Sequence, residues 1–162
     1  MQLRKSASVF WLIATIGAIL QNPYSRTRLP KPFFIYAEDD PDAVFLVDAA
    51  LRKLNAEHEM VHCLDGEQLI SCLTQHWQRG ETPTFVLLDV RMPRVDGFEA
   101  LRLIRGNALH DRLSVVMFTS SVLEADVERA ASLGATDYVV KPVSFDELTQ
   151  KLSELLWRFD AL

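Results

Sequence analysis

From Phe33 onward, short apolar runs alternate with longer amphipathic stretches. The runs are Phe33–Ala37, Glu59–Cys63, Phe85–Leu88, Val115–Phe118 and Tyr138–Val140. Runs that are apolar on both faces suit strands of a parallel sheet covered by helices. The stretches between them carry apolar residues at helical spacing. Pro41 follows Asp40 as a first-turn residue, and Val44, Val47, Leu51 and Leu54 then share one face. Glu67–Trp77 places Leu69, Cys72 and Leu73 inward, and Gly97–Arg105 does the same with Phe98, Leu101 and Ile104. Ser121 and Glu124 are spaced as a capping box, with Val127 and Ala131 on the inward face and Gly134 as the stop. Ser144 and Glu147 form a second box ahead of Leu148, Leu152, Leu155 and Phe159. Five strands alternating with five helices predict an α/β fold with a doubly wound parallel sheet.

The first 32 residues follow another pattern. Residues 1–20 open with Arg4 and Lys5 and continue as an apolar run from Ala7 to Leu20. That run is shorter than the ~20 apolar residues of a spanning helix, and no Ala-x-Ala cleavage site follows. A membrane anchor through 7–20, an export signal and a start placed too early all remain open; an incidental extension is preferred. Residues 21–32 hold three prolines and no periodicity, as a linker does. The expected organisation is therefore an extension, a linker and one domain over 33–160, with no output domain.

Charge sharpens the picture. Five of the 17 basic residues fall in 1–31, where there is no Asp or Glu, so 32–162 carries a net charge of -10. So acidic a domain repels phosphate backbones, which argues against direct nucleic-acid binding and suits a divalent cation site. The two cysteines, Cys63 and Cys72, are too few for a disulfide framework and read as reduced thiols of a cytoplasmic protein.

Ligands of a doubly wound sheet collect at the carboxyl ends of its strands. Glu38, Asp39 and Asp40 follow the first strand, Asp89 the third, Thr119 and Ser120 the fourth, and Lys141 and Pro142 the fifth. Each group alone has an ordinary reading: a helix cap, a turn residue, a strand-end hydroxyl, a surface lysine. Together they deliver carboxylates, hydroxyls and one ammonium to a single edge.

This constellation resembles the receiver domains of response regulators. The residues that carry the likeness are Glu38-Asp39, Leu87–Pro93 with Asp96-Gly97, Thr119, and Tyr138–Pro142. It covers about Phe33 to Phe159. The long segment Gln75–Pro83 and the expected lack of an output domain resemble the single-domain regulators associated with bacterial phytochromes.

The resemblance implies roles. Asp89 would take a phosphoryl group from the phosphohistidine of a sensor histidine kinase or phosphotransfer protein. Glu38, Asp39 and Asp89, with the backbone carbonyl of Arg91, would hold Mg²⁺. Thr119 and Lys141 would engage the phosphoryl oxygens, and Tyr138 would switch rotamer. Pro142 would follow a cis peptide bond. The downstream protein partner is not legible.

Two rivals differ in class. A pseudo-receiver would be a non-catalytic interaction module of the same fold, working without phosphate. A haloacid-dehalogenase-like phosphatase would need Asp-x-Asp; Arg91 occupies the second position, which rejects it. The loops of P-loop and flavin-binding proteins are missing.

Overall fold

The computed structural model describes residues 31–160. The expectations placed on residues 1–30 lie outside the described residues.

Five parallel strands form one sheet: β1 Phe33–Ala37, β2 Glu59–Cys63, β3 Val86–Leu88, β4 Val115–Thr119 and β5 Asp137–Val140. Five helices alternate with them: α1 Pro41–Lys53, α2 Gly66–Gln78, α3 Gly97–Arg105, α4 Glu124–Ser132 and α5 Phe145–Asp160. A short 3-10 turn, Ala108–His110, sits between α3 and β4. The expected doubly wound α/β fold is thus observed. Strand order is β2-β1-β3-β4-β5, which reverses direction between β1 and β3. That reversal opens a crevice at the carboxyl ends of β1 and β3.

Alternation along the strands splits the core in two. Phe34, Tyr36, Phe85, Leu87, Val116 and Phe118 face α1 and α5. Ile35, Ala37, Val86, Leu88, Val115 and Met117 face α2 and α3. The three central strands are buried on both faces, which is why their sequence runs are apolar throughout.

Most helix signals act as the sequence reading expects. Asp40 caps α1 by accepting the Asp42 N–H at 2.9 Å, and Ser144 accepts the Glu147 N–H at 3.2 Å. Gly134 adopts φ 86 just past α4, a left-handed stop that a side chain would strain. Helix α4 departs from expectation. It begins at Glu124, and its N-cap Leu123 offers no side-chain cap. The Ser121 oxygen accepts the Leu123 N–H at 3.4 Å and its hydroxyl donates to Asp126 at 2.5 Å, so no capping box forms with Glu124. Its buried residue is Ala130, whereas Val127 and Ala131 are exposed. The helix is therefore rotated from the face its sequence marks, and Val122, Leu123 and Val127 are left to solvent.

One buried charge fixes the loops. Asp65 is fully buried, caps α2 through the Gln68 N–H at 2.8 Å, and pairs with the Arg94 guanidinium. Arg94 has φ 62, a left-handed conformation that the ion pair helps to hold. Beside it, the Gly66 N–H donates to the Val95 carbonyl at 3.0 Å. The β2–α2 turn is thereby tied to the β3–α3 loop. Arg94→Ala should destabilise the fold by about 2 kcal/mol. That is below the ~3–5 kcal/mol of a fully buried pair, because the Arg94 side chain is half-exposed. Urea denaturation measures it; an unchanged midpoint would show that the pair does not hold the loop.

Candidate functional site

Local sequence puts the site residues at one edge. Parallel pairing aligns Ala37 with Leu88 and Leu88 with Met117, so the next residues, Glu38, Asp89 and the last residue of β4, Thr119, emerge together. Lys141 follows β5, and its N–H donates to the Thr119 carbonyl at 2.8 Å. The structure therefore gathers Glu38, Asp39, Asp89, Thr119 and Lys141 where the sequence expects them.

Glu38 and Asp89 are buried carboxylates, and Asp39 is exposed. Carboxylate oxygens of the three lie within 4.8 Å of one another. The Lys141 ammonium bridges two of them, at 2.5 Å from Glu38 Oε2 and 3.2 Å from Asp89 Oδ1. The second Asp89 oxygen accepts the Arg91 N–H at 2.8 Å. Arg91 thus touches the site through its backbone, while its side chain is exposed. Buried carboxylates need such donors, since an unpaired charge is costly away from water.

The Lys141–Pro142 bond corrects an expectation. No cis peptide occurs among the described residues, so Pro142 follows a trans bond. Trans is the lower-energy isomer even before proline, and with it the Lys141 amine already reaches both carboxylates.

Thr119 is buried, and its Oγ1 accepts the Ser121 N–H at 3.3 Å. Tyr138 is half-buried and donates its hydroxyl to the Ser121 carbonyl at 3.1 Å. Burial, more than any charge, holds that phenol above its usual range. Thr119 and Tyr138 thus grip the same Ser121 backbone from two sides.

Two contributors escape the sequence reading. The Tyr36 hydroxyl donates to Glu38 Oε2 at 2.8 Å, from full burial. Burial comes first, and Glu38 second, in pushing that phenol above its usual range. Their spacing of two along a strand, which puts both on one face, was the available signal. The other is Gly97, which the sequence marks as a helix start and as part of a motif but not as a contact of Asp89. A Cβ there would stand 2.0 Å from the Asp89 carbonyl oxygen. The α3 start can approach Asp89 only because that position lacks a side chain.

A cleft of about 800 Å³ opens beside Asp89, lined by Arg91, Phe98, Ser120, Asp126 and Arg129 among others. Arg129 stacks over Phe98 at 4.2 Å and fixes one wall.

Comparison with known proteins gives a consistent result. The family model for the response regulator receiver domain matches residues 34–153. The probable methanogenesis regulatory protein FilR2 of Methanothrix harundinacea is 32% identical over 126 residues, covering 76% of this chain and 81% of FilR2. Response regulator Rcp1 of Synechocystis is 29% identical, covering 74% and 82%. The crystal structure of Mn²⁺-bound Rcp1 superposes with a TM-score of 0.68 at 27% identity, over 77% of this chain and 91% of that one. The phosphorylated cyanobacterial phytochrome response regulator RcpA gives 0.70 at 26% identity, with the same coverage. The chain spans only 52% and 49% of two other matched regulators.

Gly97→Ala tests the packing of the site. The added carbon must push the Asp89 backbone or the α3 start aside, at a cost of about 3 kcal/mol. Thermal denaturation reads the loss; a wild-type midpoint would mean that the loop adapts freely.

Proposed function

The chain belongs to the response regulator receiver family, and from that premise we propose that residues 33–160 form a phosphoacceptor. Receiver domains of two-component systems work with histidine kinases or phosphotransfer proteins. In the proposed reaction an Asp89 carboxylate oxygen attacks the phosphorus of a phosphohistidine. The P–N bond breaks, imidazole leaves, and an acyl phosphate forms on Asp89. The observation that carries this reading is the Lys141 ammonium held between Asp89 and Glu38 at the switch point of the sheet.

The donor set fits Mg²⁺. Octahedral Mg²⁺ takes oxygens at ~2.1 Å, so ligands on one ion stand roughly 3–4 Å apart, and the oxygens of Glu38, Asp39 and Asp89 lie within 4.8 Å of one another. Those carboxylates and the Arg91 carbonyl would hold the ion. Lys141 and the Arg91 N–H leave a lone pair on each Asp89 oxygen, so neither blocks it. When bound, the cation supplies positive charge that offsets repulsion between Asp89 and the incoming phosphoryl group. Rcp1 and a sensor-kinase receiver domain from Pseudomonas aeruginosa, crystallised with Mn²⁺ and magnesium respectively, support the choice.

The chain's own residues would do the rest. Lys141 neutralises phosphoryl oxygens as a point charge, exchanging its Glu38 contact for them. Thr119 donates its hydroxyl to a phosphoryl oxygen and draws the β4–α4 loop inward. Tyr138, already bonded to that loop through Ser121, follows it. Partner binding changes on the α4–β5–α5 face, whose exposed Val122, Leu123 and Val127 support a protein partner rather than nucleic acid. Among the described residues no helix is long and apolar enough to cross a membrane; a cytoplasmic location is part of the proposal.

Full-length protein incubated with acetyl phosphate and Mg²⁺ should gain one phosphoryl group by intact mass. Asp89→Asn should abolish the gain, and chelating the cation should do the same. Asp39→Ala should weaken Mg²⁺ binding at least about tenfold, roughly 1.4 kcal/mol. Labelling that persists in Asp89→Asn would reject the assignment. A wild-type protein with no Mg²⁺ affinity would instead favour the pseudo-receiver.

A further inference from the structure

Glu38 is the member of the carboxylate cluster with the longest side chain, one rotatable bond more than Asp39 or Asp89, and it is buried. Its backbone is fixed, because the Glu38 N–H donates to the Cys63 carbonyl at 2.9 Å. Oε1 accepts the Asp40 N–H at 3.2 Å. Oε2 accepts both the Tyr36 hydroxyl at 2.8 Å and the Lys141 ammonium at 2.5 Å. Tyr36 lies two residues earlier on β1, fully buried in the cluster that faces α1 and α5. The Phe118 ring meets it edge-on, with centroids 6.1 Å apart. Packing alone does not call for the hydroxyl. A phenylalanine ring would fill the same space, and burying a phenol is costly unless its O–H has a partner.

We propose that Tyr36 is a positioning residue of the cation site: its hydroxyl holds the Glu38 carboxylate in the ligating orientation and so sets the affinity for Mg²⁺. The inference rests on the phosphoacceptor reading, in which Glu38 is a cation ligand. In that reading Lys141 gives up Glu38 for the phosphoryl oxygens. While the ammonium is in place, Oε2 has both lone pairs taken. Once it leaves, the hydroxyl keeps one and the other is free for the ion. Oε1, with the Asp40 N–H as donor, has a lone pair available throughout. Tyr36 is thus the side chain that stays on Glu38 through the exchange.

The length of Glu38 makes that contact matter. Without the hydroxyl, rotation about the extra bond lets the carboxylate leave Asp39 and Asp89 whenever Lys141 is elsewhere. It must then be ordered afresh each time the cation binds, which lowers affinity without removing a ligand. Hydrogen bonds that orient a ligating carboxylate are typically worth about tenfold or more in metal affinity. The effect belongs to the pair. Glu38→Asp draws the carboxylate back by roughly 1.5 Å, one carbon–carbon bond, and takes it out of reach of a hydroxyl fixed in the core. In that background the Tyr36 hydroxyl has nothing left to hold.

The test is calorimetric titration of full-length protein with MgCl₂, without phosphodonor. Tyr36→Phe, which keeps the ring, should weaken Mg²⁺ binding about tenfold. The same substitution made on top of Glu38→Asp should change the affinity less than about twofold, since the two residues act through one contact. With acetyl phosphate, Tyr36→Phe should raise the Mg²⁺ concentration for half-maximal labelling by the same tenfold factor and leave the rate at saturating Mg²⁺ within about twofold. Equal losses in both backgrounds would overturn the proposal, and so would a lower saturating rate with unchanged half-saturation. Loss of a cooperative thermal transition in Tyr36→Phe would assign the hydroxyl to the fold and also overturn it. Wild-type protein that binds Mg²⁺ and is labelled on Asp89, beside a Tyr36→Phe variant of equal affinity, rejects this inference alone. Wild-type protein without Mg²⁺ affinity rejects the phosphoacceptor reading and this inference with it.

Discussion

Three carboxylates cannot share a few ångströms of protein edge without positive charge between them. Lys141 supplies it, holding Glu38 and Asp89 at once from a different strand than either. The rest of the edge depends on that bridge. The remaining donors serve it: the Arg91 N–H on Asp89, and the Tyr36 hydroxyl and Asp40 N–H on Glu38. Together they satisfy buried oxygens whose desolvation would otherwise oppose folding. One half-buried ammonium against three acidic groups still leaves a deficit of positive charge, the condition in which a divalent cation or a positively assisted anion is welcome.

The bridge can form only because the sheet is parallel and its register is exact at the carboxyl edge. β1, β3 and β4 are buried on both faces, so a one-residue slip would misplace every side chain of both cores. Loops then set the fine position. Gly97 lets α3 start against the Asp89 carbonyl, and the Asp65–Arg94 pair holds the intervening turn in a conformation that Arg94 alone would resist. Burial energy therefore fixes where the strands end, and a few close approaches fix where Asp89 points.

Much of this was legible in the sequence, for identifiable reasons. Strand runs and helix faces follow from periodicity, and the site residues follow from which strands end where. Glu38, Asp39, Asp89, Thr119 and Lys141 converge because topology alone brings them together. What escaped depends on contacts between distant segments. The Asp65–Arg94 pair carries no local mark. Tyr36 looked like one more apolar strand residue, although its spacing from Glu38 held the clue. The cis bond at Pro142 came from resemblance, and the trans bond satisfies the same lysine contacts. The Ser121–Glu124 box failed because the helix starts at Glu124 itself, with Leu123 as its cap, so the Ser121 oxygen accepts the Leu123 N–H while its proton goes to Asp126.

That failure is informative about α4. A helix with no side-chain cap and little but Ala130 in the core has few contacts to lose. Its entry loop is held by hydrogen bonds from Tyr138 to the Ser121 carbonyl and from Ser121 to Thr119 and Asp126. Each is worth about 1 kcal/mol net, somewhat more where a charge takes part. A phosphoryl group brings 1–3 charge-assisted hydrogen bonds, roughly the same sum. A deeply packed helix would be indifferent to such a change. This one is balanced within its reach, so the weakness that misled the sequence reading is the property the proposed switch requires.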